Sequence, residues 1–324
     1  MGDRMHDEPS TMTTPRPSNC DPRDQPMGHF APGAVHSGFH VDLRGVAGSY
    51  GRPSEAEAWL ELLTNRRERI MPTTVLQLGL GAWQRSIDAD DPDRAEWAHV
   101  AQLVTEWAIV DMDGHGRFAH LAPMPHTYRL DPPWFSVLPQ ALAVSLFVRH
   151  NLGREAQRAA RVLLDPAYGL ITESDAGPIL EEYPTDPGAH VLNGWMWALY
   201  GLADLAHATA PDLDETVRAS AHSAFAAGVE SLIAQLDEYE TGRGWTTYDR
   251  YPHAIANIAS PFYHRLHIGM IRALARVAPE PAQQSQLELR GERWERALNR
   301  PITRAAAVAR KVGFRIVKPR RKAA

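Results

Sequence analysis

Three adjacent side chains that can transfer protons stand just ahead of the most apolar stretch of the chain. Glu181, Glu182 and Tyr183 open the segment EEYPTDPGAHVLNGWMWALYGLADL. Asp186 followed by Pro187 is a typical helix start, which puts the two carboxylates and the phenol on the loop that leads into the helix. Backbone N–H groups and the dipole at a helix N-terminus favour an anion. The pattern therefore predicts acid–base groups beside an anion-binding helix end.

Further aromatic and charged side chains stand directly before, or within the first turn of, other predicted helices. These are Trp134 and Phe135, then Tyr248, Asp249 and Arg250, and finally Tyr263 and His264. If alternate helices point the same way, their N-terminal loops converge on one rim and bring these side chains together. Aromatic packing at helix ends is the alternative explanation.

Helix-start signals and apolar periodicity predict one helix after another from Pro72 onward, with almost no strand-like runs. The predicted helices span 73–87, 92–110, 134–151, 154–164, 187–208, 212–236, 261–277 and 282–298. Alternate helices begin every ~55–75 residues, which indicates helical hairpins. On helix 187–208 the spacing of Val191, Trp195 and Leu199 indicates one apolar face. We predict an all-α fold of about four hairpins that close side by side into a toroid.

The regions on either side of the hairpins differ in composition. Six prolines among polar residues predict a disordered leader. GFHVDLRG, from Gly38, alternates like a short strand or hairpin arm, and a helix is predicted from Ser54. The chain then divides into a leader (1–35), an N-terminal strand and helix extension (36–71), the toroid domain (72–300) and a basic tail (301–324).

The charge of the chain is unevenly distributed. The net charge is −5, but the residues from Arg304 onward hold eight Lys or Arg and no acid, which leaves −13 on the remainder. A basic amphipathic tail can lie on an anionic membrane surface or contact an acidic partner, and a solvated tail or a final helix is the simpler alternative. The acidic remainder argues against nucleic-acid binding. A homodimer stays open.

Other classes of protein and cofactor find little support. Cys20 is the only cysteine, so no intrachain disulfide is expected, and neither a signal peptide nor a membrane span is evident. We expect a cytoplasmic protein, with the inner face of the membrane as an option for its tail. His264 and His267 stand near metal-ligand spacing but lack an evident third ligand, so we expect no metal. No dinucleotide fingerprint is visible, and we expect no cofactor.

Several stretches carry a family resemblance. Glu-Glu-Tyr-Pro-Thr and Val-Leu-Asn-Gly in the segment from Glu181 to Leu205 form its strongest part. YETGRGWTTYDR and IASPFYHRLHIGMIRAL match a Tyr-Asp run and a Tyr-His-x-x-His-Ile motif, while PPWFSVLPQALAVSLFVRH and VLQLGLGAWQ match two further helical elements. Together they resemble the C-terminal domain of the glucuronyl C5-epimerase family, which acts on uronic acids within heparan-type polysaccharides. The likeness covers residues 38–277.

The resemblance implies an incomplete (α/α) barrel that removes the C5 proton of a uronic acid and returns a proton to the opposite face of the ring. It implies catalytic roles for Glu182 with Tyr183 on one face, for Tyr263 assisted by His264 on the other, for Arg250 as the partner of the carboxylate, and for Tyr248 as a group that orients the carboxylate or shares protons. It implies substrate binding by Trp134, Gln140, Glu181, Asn193 and Gln77. The partner is then a polysaccharide or oligosaccharide that contains uronic acid.

The same residues suit three other functions. Proton abstraction followed by loss of the C4 oxygen would make the protein a lyase, and a groove that binds without turnover would make it a glycan-binding protein. A glycoside hydrolase could use Glu182, because fold alone does not fix chemistry. The polymer stays open, since Phe135 and Leu78 stand where the family has tyrosine.

Overall fold

The computed structural model describes residues 24–124 and 127–319, which are mostly helical. The described residues form eleven α-helices: α1 (Arg44–Gly48), α2 (Ala56–Asn65), α3 (Pro72–Ile87), α4 (Arg94–Asp111), α5 (Val137–Arg149), α6 (Gly153–Leu164), α7 (Leu192–Ala206), α8 (Glu215–Gln235), α9 (Pro261–Val277), α10 (Pro281–Leu298) and α11 (Pro301–Val317). Within those same ranges, one antiparallel hairpin joins β1 (Ile171–Ser174) to β2 (Gly177–Leu180). The prediction of an all-α fold is confirmed.

The helices pack as consecutive pairs. α3 lies against α4, α5 against α6, α7 against α8, and α9 against α10. The first members of these pairs also pack in succession, since α3 contacts α5, α5 contacts α7, and α7 contacts α9. α1 and α2 of the N-terminal extension pack on α3 and α4. Four helical pairs therefore form one continuous core.

α7 lies at the centre of this core. Every one of its residues from Leu192 to Ala206 is buried, so the prediction of a single apolar face was wrong. The reason is its surroundings, because α5, α6, α8 and α9 all pack against it. A polar group on α7 needs an internal partner, and the Tyr200 hydroxyl accordingly donates to the carbonyl of Met270 at 2.5 Å. α7 is therefore buried on all sides, and the loops that carry the site residues pack around its start.

The predicted helix starts were correct only in part. α9 begins at Pro261, and the Ser260 hydroxyl caps it by accepting the N–H of Tyr263 at 3.3 Å. α7, however, begins at Leu192 rather than at residue 187. His190 has a φ of 47°, which no right-handed helix contains, and its N–H donates to a side chain instead.

α5 also begins later than predicted, at Val137 rather than at residue 134. Ser136 is its cap and accepts the N–H of Leu138 at 3.2 Å. Trp134 instead pairs with His120 through two backbone hydrogen bonds of 2.8 and 3.2 Å. This pairing leaves Trp134 on the loop before α5.

The hairpin of β1 and β2 was missed by the sequence analysis, because each strand has only four residues. Ser174 pairs with Gly177 at its tight end, where Gly177 has a φ of 112° that disfavours other residues. β2 runs directly into Glu181, whose N–H donates to the carbonyl of Leu170 at 2.9 Å. The hairpin therefore delivers the acid–base segment to the start of α7.

The prediction of disorder through residue 35 was wrong for residues 24–35, whereas residues 1–23 lie outside the described part of the chain. Gly28 donates to the carbonyl of His40, and Asp42 donates to that of Pro26, each at 2.9 Å. Phe30 is buried, and the guanidinium of Arg276 lies 4.7 Å from its ring. The high proline content led to the prediction of disorder, although a few apolar side chains of this segment pack in the core.

A buried ion pair joins this N-terminal segment to the core. Arg149 on α5 contacts Asp204 on α7 at 2.6 Å and donates to the carbonyl of Gly38 at 2.8 Å. His40 contacts the same carboxylate at 3.0 Å. Burial alone would raise the pKa of Asp204, but Arg149 and His40 hold it below its usual range. Asp204 is therefore charged and fully paired inside the core.

The basic tail contains a helix, one of the two simpler alternatives, while residues 320–324 lie outside the described ranges. α11 buries Thr303, Ala307 and Phe314 on one face. Its other face exposes a row of apolar side chains: Ile302, Val308, Val312 and Ile316. In the described parts of the chain, no helix has the length and apolarity needed to cross a membrane.

Candidate active site

Four tyrosines, three from loops and one from the first turn of α9, meet beside the start of α7. Tyr128 stacks on Tyr183 with ring centroids 4.2 Å apart, and Tyr248 meets Tyr263 edge to face at 4.7 Å. Trp134 lies beside them, 5.7 Å from Tyr183. We refer to Tyr128, Tyr183, Tyr248 and Tyr263 as the tyrosine cluster. Tyr128, Tyr183 and Tyr248 lie in the loops that precede α5, α7 and α9, and Tyr263 lies in the first turn of α9.

Glu182 lies against this cluster. Glu182 and Tyr183 interact with each other, and Tyr183 also interacts with Tyr248, so each of these groups affects the pKa of its neighbour. Asn193, in the first turn of α7, donates to the Glu182 carboxylate at 3.3 Å. Glu182 is therefore placed between the tyrosine cluster and the start of α7.

The start of α7 accommodates Glu182 closely. Gly194 faces this side chain, and a Cβ at position 194 would lie only 2.5 Å from the Cβ of Glu182. A glycine is therefore required for the close approach. Asn193 and Gly194 thus both contact the side chain of Glu182, which explains the Asn-Gly pair in the sequence.

The environment of Glu182 shifts its proton affinity. Burial raises its pKa to about 7, and the charge of Asp249 adds to this, although hydrogen bonds from Tyr183 and Asn193 oppose the shift. Burial and the Glu182 charge raise the pKa of Tyr183 well above its usual value of 10. Near neutral pH, Glu182 can therefore exchange a proton with Tyr183, whose raised pKa otherwise keeps its hydroxyl protonated.

A second buried carboxylate, Asp249, contacts the tyrosine cluster through Tyr128. Its Oδ2 accepts from the Tyr128 hydroxyl, from Asn257 Nδ2 at 2.6 Å and from His253 Nε2 at 3.3 Å. Its Oδ1 is buried and has no hydrogen-bond partner among the described residues. Tyr128 is therefore held in place by a carboxylate while its ring packs on Tyr183.

His264 does not join the tyrosine cluster, contrary to the prediction that it assists Tyr263. Its ring is fully buried and stacks on Trp245 at 4.0 Å. Its Nε2 bonds the carbonyl of Trp294 at 3.0 Å, and its Nδ1 bonds the Thr246 hydroxyl at 3.0 Å. Burial lowers its pKa to about 4, only partly opposed by the Trp294 carbonyl. His264 is thus a neutral core residue whose two nitrogens are both engaged.

These contacts also fix the proton positions on His267. Since the Trp294 carbonyl can only accept, His264 carries its proton on Nε2 and accepts the Thr246 hydroxyl proton at Nδ1. The Thr246 oxygen must then accept from His267 Nδ1, 2.9 Å away. His267 Nε2 is left without a proton and is buried without a partner. The two histidines are therefore joined through Thr246 and do not form a metal pair.

Arg250 also lies away from the cluster. Its guanidinium donates to Gln235 Oε1 at 2.5 Å, pairs with Glu238, and lies 5.6 Å from the ring of Tyr239. The predicted role as partner of a substrate carboxylate therefore does not agree with its contacts. Successive residues of an extended chain point to opposite sides, and the neighbouring Asp249 is the one that faces the tyrosines.

Two predicted substrate-binding residues, Glu181 and Gln140, have structural contacts instead. Glu181 accepts from the N–H of His190 at 2.8 Å and bonds its ring at 2.5 Å, which holds the loop before α7. Gln140, with its amide turned to suit both neighbours, bonds Gly116 O at 2.9 Å and Phe118 N at 3.0 Å. Gln77 lies half-buried on α3. Trp134 and Asn193 alone of the predicted binding residues contact the centre.

The sequence analysis missed three residues that the structure brings to the cluster. Tyr128 could have been found, because it lies in the loop before α5 and so obeys the rim argument used for its neighbours. Asn257 and Lys311 could not, because nothing local marks them. Lys311 Nζ on α11 lies 2.7 Å from Asn257 Oδ1 and 5.7 Å from the ring of Tyr248.

In residues 24–124 and 127–319, no three carboxylate, histidine or cysteine side chains lie close enough together to hold a metal ion. The chemistry available from the described side chains is proton transfer among phenols and a carboxyl group.

The fold and the site define a mostly helical protein with consecutive helix pairs and a buried centre of tyrosines and carboxyl groups. The family model for the D-glucuronyl C5-epimerase C-terminus matches residues 112–294, more than half of the chain. The chain belongs to this family, which confirms the resemblance found in its motifs. The D-glucuronyl C5-epimerase of Caenorhabditis elegans is 29% identical over 221 residues, which are 62% of this chain and 35% of that protein. The chain therefore spans about a third of the length of this relative.

Proposed function

We propose that the protein is an isomerase that epimerises hexuronic acid residues at C5 within a polysaccharide, between the D-glucuronyl and L-iduronyl forms. The observation that carries the proposal is the buried carboxyl group of Glu182 beside the buried Tyr183 and Tyr248, with Tyr263 packed against Tyr248 at 4.7 Å between ring centroids. Membership of the C5-epimerase family supports the same reaction.

The reaction needs one group on each face of the sugar ring. As the C5–H bond breaks, the Tyr183 oxygen takes the proton and passes its own proton to Glu182, whose pKa of about 7 suits a base at neutral pH. The electron pair of the broken bond is delocalised into the C6 carboxylate. Tyr263 then gives its hydroxyl proton to C5 from the opposite face. Glu182 releases its proton to solvent and Tyr263 takes one back, which restores the starting state. No atom other than hydrogen is exchanged.

The sugar reaches the cluster from the side of Tyr263. Tyr263 is half-buried, whereas Tyr183 and Tyr248 are each only 9% exposed. The half-buried ring of Tyr263 gives apolar surface against which a sugar ring can pack. This proposal makes a uronic-acid polymer the substrate, with a heparosan-like polymer as the first choice.

The family's incomplete (α/α) barrel is proposed for this chain as well. In its support, α3, α5, α7 and α9 pack in succession, each paired with the helix that follows it. The loops that lead into α5, α7 and α9 carry Trp134, Glu182 and Tyr248. One rim of a partial toroid then carries the reaction.

The test is deuterium incorporation at C5, followed by NMR in heavy water, on a panel of glucuronic-acid polymers. We expect the wild-type protein to exchange this position, and Tyr263→Phe to lower the rate by ~10²–10⁴ because a general acid is lost. Tyr168→Phe is the matched control, since its hydroxyl makes only a surface bond to the carbonyl of His115.

The same samples distinguish the alternatives. A new ultraviolet absorbance with loss of polymer length would show a lyase, because elimination leaves an unsaturated sugar. Binding without exchange on any polymer would show a glycan-binding protein. Either result would contradict the epimerase proposal.

A further inference from the structure

A lysine from the C-terminal helix lies among the residues of the centre. Lys311 Nζ is 2.7 Å from Asn257 Oδ1, and Asn257 in turn donates to Asp249 at 2.6 Å. The same ammonium lies 5.7 Å from the ring of Tyr248. Lys311 thus lies beside Tyr248 of the tyrosine cluster and beside Asn257, the partner of Asp249, although it stands outside residues 112–294 that match the family.

α11 is fixed in this position by its buried face. Phe314, three residues after Lys311, is 1% exposed and meets the ring of His253 edge to face at 5.1 Å. Ala307, four residues before Lys311, packs in an apolar group with Trp245 and Ile258. One turn on each side of the lysine is therefore anchored, which directs its side chain toward the centre.

The centre holds two buried carboxyl groups, and the Lys311 ammonium reaches one of them, Asp249, through Asn257. Glu182 and Asp249 are both buried there, and Arg250 pairs with Glu238 elsewhere. A uronate carboxylate brought beside these groups would be repelled unless a cation were near. The charge of Lys311 also extends to His267, where it contributes to a lowered pKa after burial and His264. It therefore acts across the space between Tyr248 and α9.

We infer that Lys311 binds the C6 carboxylate of the uronic acid and that α11 is part of the substrate site. This inference rests on the proposed function and takes over the role predicted for Arg250. Negative charge builds on the carboxylate as the C5 proton leaves, so a fixed ammonium stabilises the intermediate more than the bound sugar. The lysine accordingly contributes to turnover as well as to affinity.

The chain offers a direct probe of the wild-type protein, because its only lysines are Lys311, Lys318 and Lys322. Lysine labelled with ¹³C at Cε gives three NMR signals, which single Lys→Arg variants assign. The probe ligands are a polymer of alternating glucuronic acid and N-acetylglucosamine, and the same polymer with its carboxyls reduced to alcohols. We expect the uronate polymer to shift the Lys311 signal and the reduced polymer to leave it unmoved.

Variants add the kinetic test. Lys311→Met should abolish the preference for the uronate polymer and lower kcat of C5 exchange by ~10²–10³, the usual effect of removing one charge-stabilising donor. Lys311→Arg should keep the preference. Arg310→Gln is the matched control, since it removes one charge from the exposed side of the same turn.

The outcomes separate the two proposals. Exchange by the wild type with an unmoved Lys311 signal, or with Lys311→Met no worse than Arg310→Gln, would overturn the inference and leave the epimerase intact. A shifted Lys311 signal without exchange would support the carboxylate site and contradict the epimerase. If the wild type binds no uronate polymer, both are wrong.

Discussion

At pH values below about 7 the buried carboxyl of Glu182 holds its proton and cannot accept one from Tyr183. An ordinary glutamate would lose that proton near pH 4.5, so burial moves the working range upward. We expect the rate of C5 exchange to rise with pH through about 7, and Glu182→Gln to lower the rate by ~10²–10⁴ and remove this limb of the pH profile. Initial rates from pH 5 to 8 measure both.

Glu173→Gln is the control for this prediction. Glu173 is an exposed carboxylate on β1, in the hairpin that leads to the site, so its removal should leave the limb in place. A rising limb near pH 7 that persists in Glu182→Gln would mean that another group is the base.

The sequence was sufficient to predict which residues lie at the centre where those residues are close together along the chain or follow a recognisable motif. Glu182 and Tyr183 are adjacent, and Tyr263 follows a serine cap, so spacing and motif were enough to find them. Lys311 and Asn257 are 54 residues apart in sequence, and no local pattern reports such a contact. The sequence analysis placed Arg250 at the centre instead of Asp249. In an extended segment, neighbouring side chains point to opposite sides, so an error of one position changes which residue faces the site.

Among the elements, the loop that carries Trp245 and Tyr248 is joined to α9 by hydrogen bonds from Thr246. Thr246 is fully buried, and its hydroxyl bonds both His264 and His267. We expect Thr246→Val to lower the free energy of unfolding at pH 7 by ~1–3 kcal/mol, because His267 Nδ1 then has no acceptor and His264 Nδ1 keeps only the backbone N–H of residue 246 at 3.3 Å. Urea denaturation measures the change.

Thr247→Val is the matched control for that element contact. The Thr247 hydroxyl is buried without a hydrogen-bond partner, so its replacement should be neutral within about 0.5 kcal/mol or stabilising. Equal losses in the two variants would contradict the proton positions assigned to the histidines. Both proteins should be compared at pH 7, because the unfolded chain protonates His264 first and stability falls as the pH drops from about 6.5 to about 4.

The order of the elements followed from the sequence more completely than their ends. Eight helices from α3 to α10 lie close to their predicted spans, since apolar periodicity over ten or more residues is a strong signal. The start of α7 was misjudged because a Glu181 carboxylate nine residues away occupies the N–H of His190. Such a tertiary contact overrides the local preference of an Asp-Pro pair for a helix start.

At the scale of the whole molecule, α11 has a second side that the site does not use. Val312 and Ile316 are 54% and 75% exposed, in a row that arginines and lysines flank. An apolar row with flanking cations is typical of helices that lie on anionic lipid. We expect the protein to sediment with vesicles that contain phosphatidylglycerol, to stay free of phosphatidylcholine vesicles, and to be released by salt.

Val312→Asp tests this contact, because it places a carboxylate at the centre of the row and should reduce sedimentation several-fold. Leu289→Asp is the control, since Leu289 is 62% exposed on α10 and lies outside the row. Equal sedimentation of wild type and Val312→Asp would rule out this face as the lipid contact.

The tie between the first described residues and the core bears on how the chain matures during synthesis. His40 meets a carboxylate, Asp204, that is made 164 positions later, and the carbonyl of Phe30 meets Arg276 after 246 positions. At ~5–20 residues per second, the ribosome supplies Asp204 roughly 8–33 s after His40. During that interval Phe30 and its apolar neighbours have no core to enter and are open to chaperones. The segment from Phe30 to His40 leaves the ribosome before α7 and α9, so it can dock only after those two helices have been made.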